Sequence, residues 1–512
     1  MKKYLILFLA FTLCGISPLF AKTTSPQTIY VLDIRPLKKD WAKPERAPEI
    51  WDTLHALAAL QGIVNREKPQ LYFNYCSGFG VETDEFWMNW YRTKDGWLKD
   101  TQIIQLKSVE EVFDTFKDIP QGLVVYDPQV DSTSNLASTA AGIYDLIPVR
   151  WSEQTNSICQ KLLNRYHYPI RETFINSDGS SKFTGKGTIP DINIPSTGSA
   201  KCDAYLWAIE KYIKTGLCDP LFAAYYIDAF WIRQPNTSGP DMHTLSNHDY
   251  FISHRAFFFD LSPWADEAPN DDLQQPLGAD LVTFRAIMDA LYLQNGGRIL
   301  KVGGFTPWPF KYTDHGAVKC KHGGVETEWQ FGKIISQYNG YMEADAAGLS
   351  AMANASFHTH YPLQKHYSQP NAKTDLQVWK EKGFITEDGK VKPGLYVGHY
   401  VGDYDSPAWL YKAVPNFFND KDLGTVPLGW AFDPNLSDRA PMALVYAYQK
   451  ATANDFFITG DSGAGYLNPR SLTQRDSVPY PSGLTAWAEH CARYMERWDM
   501  SIVGFIIDGS GY

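Results

Sequence analysis

A mixed α/β fold is predicted for this chain: a β/α sheet unit, then a mainly helical stretch, then a (β/α) barrel-like domain, either complete or incomplete and distorted. Three observations predict it. Strand-like and helical periods alternate from about residue 28, the alternation lapses between about 152 and 250, and it returns from about 251 with eight candidate strands. The length of 512 residues suits about two to four domains.

The first segment, "MKKYLILFLAFTLCGISPLFAKTT", has basic Lys2 and Lys3, a short apolar run and the small residue Ala21 before Lys22. This is the pattern of an export signal spanning residues 1–21. Leu13 stands before Cys14 where a lipoprotein signal would carry a small residue, so ordinary cleavage near Ala21 is expected. No later run reaches the ~18 apolar residues of a membrane span, so a periplasmic or extracellular protein is expected.

In the first unit, 28–151, "TIYVLDI", "QLYFNY", "TQIIQL", "GLVVYDP" and "IPVRW" read as strands. Helical stretches such as "EIWDTLHALAALQGIVNRE" separate them, so a parallel sheet flanked by helices is expected. "LDIRPLKKD" holds no GxGxxG, so no nucleotide cofactor is expected. In 152–250 the helical "SICQKLLNRYHY" and "CDAYLWAIEKYIKTG" flank "NSDGSSKFTGKGTIPDINIPSTGS", a long loop or hairpin. In 251–512 the candidate strands are "AFFFDL", "RILKVGGF", "GYMEADA", "ASFHTHY", "LYVGHYVGDY", "TVPLGWAFD", "DFFITGD" and "SIVGFIIDG".

Composition limits the partners. A net charge of −10 without a long basic run argues against a nucleic-acid surface and favours a neutral substrate. Aromatic residues make up 14% of the chain, enough to spare a few as platforms for sugar rings beside those the cores require. The cysteines after the signal are scattered without a CxxC pair, which leaves a zinc ribbon unsupported and Cys202 and Cys218 open to be bridged or free.

Most of these candidate strands end at or beside a carboxylate: Asp260, Asp345, Asp403 with Asp405, Asp433, Asp461 and Asp508. In a β/α barrel such acids converge on one face. Helix capping or turn initiation is the alternative for any one of them, as in "DPN" at Asp433. Period 2 would put His399, Val401, Asp403 and Asp405 on one strand face, and His358 and His360 on another. Those histidines could hold a metal, though hydrogen-bonded structural roles are preferred and no metal is assigned. The long loop after "RILKVGGF" carries Trp308, Asp314, His315, Glu326 and Glu328 and could line a pocket.

In "DFFITGDSGAGYLNPRSL", Gly463 and Gly465 permit a tight turn after Asp461, Tyr466 projects from it and Pro469 stiffens the exit. "GAGYLNP" resembles the motif of the bacterial GxGYxYP family, whose label is glycoside hydrolase. Gly463, Gly465, Tyr466 and Pro469 fit, and Asn468 replaces the second tyrosine. "LAALQGIVNREKPQLYF" looks like the family's N-terminal region and "ADAAGLSAMANASFHTHYP" like part of its C-terminal domain.

The resemblance implies N-terminal subdomains, a TIM-barrel-like C-terminal domain and carbohydrate processing. From strand position, Asp403, Asp405, Asp461 and Asp508 are the expected catalytic acids, one protonating the leaving oxygen and another attacking or activating water. Tyr466, Gly463, Gly465, Trp308, Trp430, His399 and His360 are the expected substrate-binding residues. A non-catalytic glycan-binding protein is the alternative, followed by a metal-dependent hydrolase or deacetylase built on His358, His360, His399 and Asp403.

Overall fold

The computed structural model of the protein describes residues 27–507, apart from 41–42, 44, 77–79, 231–246, 305–310, 312–320, 345–352 and 370–375. The expected signal segment, Trp308, Asp314, His315, Asp345 and Asp508 lie outside the described residues.

The first unit forms two parallel sheets where one was expected. β1 (Thr28–Asp33), β2 (Leu71–Asn74) and β3 (Gln102–Leu106) pair in the order β2-β1-β3. β4 (Gly122–Tyr126), β5 (Leu146–Arg150) and β6 (Ile170–Thr173) pair as β5-β4-β6. The helix Ala47–Asn65 connects β1 to β2 and packs on β5 and on a short helix, His248–Ser253. Its surface is buried on nearly every side, so its polar residues need partners. Asp52 takes the Arg150 guanidinium at 2.6 Å, and Gln61 donates to Asn354 Oδ1 at 2.7 Å. Asn65 donates to Ser356 Oγ at 3.2 Å, and its carbonyl bonds His360 Nε2 at 2.6 Å. Thus "LAALQGIVNRE" and "ANASFHTH", far apart in sequence, meet in one buried polar contact.

The Gly/Ser/Pro stretch contains a hairpin, β7 (Thr188–Ile189) against β8 (Ile194–Pro195). Among the described residues, the 152–250 stretch holds the helices Ile158–Asn164 and Ala200–Ala208 together with β6 and β9 (Phe222–Tyr225).

β9 joins β10 (Phe257–Phe259), β11 (Leu300–Gly303) and β12 (Gly340–Glu343) in a parallel sheet of order β10-β9-β11-β12. β13 (Tyr400–Tyr404), β14 (Leu428–Phe432), β15 (Asp455–Asp461) and β16 (Val503–Phe505) form a second parallel sheet in sequence order. Eight parallel strands are present, but no ladder joins the two sheets among the described residues, so no closed barrel forms there. "ASFHTHY" is not a strand: Ala355–His358 is a single helical turn behind Asn354, whose φ is 69°.

The two sheets meet at the edge of β12. Ala344 N donates to Asp405 O at 3.1 Å, and Met342 exchanges backbone hydrogen bonds with Tyr466 in an antiparallel bridge. The loop after β15 therefore ties one sheet to the other.

Candidate active site

Each residue of the tying loop has a steric or hydrogen-bonding reason to be there. Gly463 and Gly465 adopt φ of 124° and 127°, a region costly for any residue with a Cβ. A Cβ at Gly463 would lie 2.7 Å from Cys491 Sγ, and one at Gly465 would run into the Tyr341 ring. Asn468 accepts from Ser471 N at 3.0 Å and so caps the 3₁₀ turn Pro469–Leu472. That is the work done by the residue standing in the second tyrosine's place. Tyr466 is buried over Gly332 with its hydroxyl toward Glu328. Burial first, and then the Glu328 charge, push its pKa up, and Asp405 and Asp461 add to the push.

Acids from consecutive strand ends gather here, Asp405 and Asp461 near this tyrosine and Asp433 near both of them. Asp461 ends β15, Asp433 follows β14 and Asp405 follows β13. Asp433 is wholly buried and Asp461 is 2% exposed, whereas Asp405 and Glu328 are half-buried. Asp433 was open to a capping reading, yet its side chain makes no cap hydrogen bond to the 3₁₀ turn Pro434–Asp438. It presses instead on the backbone of β15 at Gly460. Burial holds the Asp433 carboxyl well above the usual range, and the nearby charges of Asp461, Asp405 and Glu343 raise it further.

Glu343, at the end of β12, is also wholly buried but keeps different company. Arg439 Nε donates to it at 2.6 Å, Asn435 at 2.8 Å, and Lys301 Nζ lies at 3.0 Å. Against the upward push of burial, Lys301 and then Arg439 hold its carboxyl below the usual range. A carboxyl favoured in the protonated form thus stands near one held ionised, the division that acid/base chemistry requires.

At the ends of β9 and β10 the acids are neutralised. Lys311 Nζ reaches Asp260 at 2.8 Å, Asp228 at 3.0 Å and Asp271 at 3.1 Å, all within the core. Burial raises Asp228 to about 8 even with Lys311 beside it. Asp260 also accepts from Tyr225 OH and Asp228 N, so it braces the strand ends.

Other expected site residues lie elsewhere. Trp430 is 5% exposed, packs on Phe417 and Phe418 and donates to Asp455 at 2.9 Å, which makes it a core residue rather than a sugar platform. His399 is exposed ahead of β13, and a register irregularity between Val401 and Tyr404 breaks the alternation expected to align it with Asp405. Asp403 lies in β13 within that irregular stretch. His358 is buried against Tyr91 OH at 2.8 Å, and burial lowers its pKa to about 3. With His360 bonded to Asn65, the two imidazoles face the first unit and do not share a strand face. Among the described residues no group of three or more His, Cys, Asp or Glu could hold a metal ion. Cys159, Cys202, Cys218 and Cys491 are buried free thiols, and Cys76 is buried.

Sequence reasoning did not put Asp433 or Glu343 among the catalytic candidates. The signal for Glu343 is its place at the last position of "GYME", two residues before Asp345.

Two domain models of one family match the chain. The "GxGYxYP_N 1st domain" matches residues 51–118, and the "GxGYxYP putative glycoside hydrolase C-terminal domain" matches residues 394–511. The chain belongs to the GxGYxYP family; the first match contains "LAALQGIVNREKPQLYF" and the second "GAGYLNP", whereas "ADAAGLSAMANASFHTHYP" falls outside both. The fold is similar to a crystal structure titled as a putative hydrolase from Bacteroides thetaiotaomicron VPI-5482. The TM-score is 0.57 at 17% identity, covering 92% of this chain and 69% of that one. No curated protein matches the chain. No helix among the described residues is long and apolar enough to cross a membrane.

Proposed function

We propose that the protein is an exported glycoside hydrolase that works from the acids at the ends of β13, β14 and β15. The observation that carries this reading is the gathering of Asp405, Asp433 and Asp461 beside one another, Asp405 and Asp461 also acting on Tyr466, with Asp433 held above the usual carboxylate range. Three like-charged groups in a poorly hydrated site cannot all ionise, so the inner pair Asp433 and Asp461 retains a proton. Asp405, nearer solvent, is the carboxylate that attacks the anomeric carbon or activates the water that does, while the inner pair supplies the proton for the departing oxygen. Family membership supports glycosidic bonds as the target. We read the two four-stranded sheets as an opened barrel, which puts these acids on the face where barrel enzymes build their sites. The apolar N-terminal run of the sequence supports export.

The test is product release by the mature protein from a panel of plant and host glycans, with Asp405→Asn and Asp461→Asn alongside. Release that either variant loses supports the reading. Full release by both variants places the chemistry elsewhere. The burial of Asp433 and Asp461 favours a second reading, a glycan-binding protein without hydrolysis. Saturable binding without release from any glycan would establish that one.

A further inference from the structure

A cavity of about 600 Å³ opens at the other ends of the strands, where β9, β11 and β12 begin, and the helix Leu484–Trp498 forms its far wall. Its size falls within the range of small-molecule sites, about 300–1,000 Å³. Its charge runs against that of the chain. Arg298, Lys301, Arg493 and Arg497 line it, opposed by Asp438 and Glu489, four cations against two anions in a protein of net charge −10. Burial lowers the pKa of His490, also in the lining, to about 4, so it adds no charge at neutral pH.

The internal pairing leaves guanidinium groups over. Lys301 is engaged by Glu343 and Asp438, both at 3.0 Å. Asp438, the lining acid nearest the centre of this network, also accepts from Tyr494 OH at 2.7 Å. Arg298 donates to the Asn295 carbonyl at 3.0 Å and Arg493 to Tyr494 OH at 2.8 Å, both neutral acceptors. Arg497 Nε is buried without a hydrogen-bond partner. None of these three arginines makes direct ion-pair contact with a carboxylate among the described residues, and only Arg493 feels the Asp438 charge, across the Tyr494 hydroxyl. Gathering such groups in one concavity is electrostatically unfavourable unless an anion joins them, and the planar guanidinium fork matches an oxyanion.

We propose that this cavity binds a small organic oxyanion: a hydroxylated ring bearing a carboxylate, sulfate or phosphate, of which a sugar acid is the simplest form. Arg298 and Arg493 engage the oxyanion from opposite walls, and Phe222 and Tyr341 border the ring. The oxyanion assignment stands on charge and volume alone; the sugar body rests on the carbohydrate reading above. Lys301 connects this site to the strand-end acids, since its ammonium touches both the cavity-lining Asp438 and Glu343.

Calorimetric titration of the mature protein with glucuronate, galacturonate, glucose 6-sulfate, glucose 6-phosphate, inorganic phosphate and glucose tests this. The expected result is saturable binding of at least one charged sugar, weakened about tenfold or more by Arg493→Gln and by Arg298→Gln. Salt should weaken it, and glucose should not bind. Arg493 lies on the exposed side of its helix, so its variant should keep the native unfolding temperature. Binding of no anion, or binding that both variants leave unchanged, would overturn the site. Inorganic phosphate binding as tightly as every charged sugar would overturn the organic ligand. Asp405→Asn should leave this binding intact, so loss of the hydrolase reading and loss of this site are read separately.

Discussion

Glu343 and Asp433 invite comparison because each is an acid at, or directly after, the end of a parallel strand, and the fold buries both completely. Their charge states are driven apart. Two cations hold Glu343 ionised, while carboxylates crowd Asp433 and favour its protonated form. Burial pushes both the same way, so it cannot be what separates them. The neighbours decide, and the neighbours arrive from distant segments: Lys301 from β11 and Arg439 from beyond β14, against Asp461 from β15 and Asp405 from β13.

The largest expected effect tests the acidic half of the comparison. Asp405→Asn should lower glycan hydrolysis by about 10²–10⁴-fold, as for loss of an acid/base group, with unfolding nearly unchanged because the side chain is half-buried. Initial rates beside a urea titration check both parts. Next comes the compensated half. Arg439→Met leaves Glu343 with a weakened set of partners in the core and should cost about 3–5 kcal/mol in denaturant unfolding. A cost below about 1 kcal/mol would mean that Lys301 and Asn435 suffice. A third change acts on the loop joining the two regions: Gly465→Ala meets both a positive φ and the Tyr341 ring, and should destabilise by about 1–3 kcal/mol. The smallest is Asn468→Ala, which removes the cap on Ser471 N for about 1 kcal/mol, read as a shift of the unfolding midpoint.

Much of the architecture was legible. Apolar runs such as "GLVVY" and "DFFITGD" are strands, and an acid ends the second. The hairpin in the Gly/Ser/Pro stretch was open to reading as well. What escaped was short or depended on pairing. "FAAY" is only four residues with two alanines, too brief and bland to stand out as a strand, yet it lies between β10 and β11. "ASFHTHY" alternates like a strand over a length at which one helical turn has no period to display. Whether β3 and β4 share a sheet is a matter of long-range partners, which periodicity does not encode. At the site, position was readable and environment was not. Trp430 looked like a platform and is core, and Asp433 looked like a cap and makes no cap bond, because burial and neighbours emerge only when segments distant in sequence are packed together.

The protonation of Asp433 also fixes a sign for stability. Its pKa is raised above the roughly 3.9 of an unfolded Asp, so the folded state keeps a proton that the unfolded chain releases. The stability this contributes is complete below about pH 4 and is lost as the pH rises toward the folded value. Asp433→Asn, a neutral isostere of the protonated acid, removes that dependence. The variant should therefore gain stability relative to the native protein as the pH rises from about 4 toward neutrality. Equal stability differences across that range would contradict the assignment.

The most direct measurement is the infrared difference spectrum between the native protein and Asp433→Asn at neutral pH, in the region where a protonated carboxyl absorbs and a carboxylate does not. A protonated-carboxyl band present in the native protein and absent from the variant is the predicted result. A difference confined to carboxylate bands would mean that Asp433 is ionised, and the division of roles between the two strand-end acids would fall.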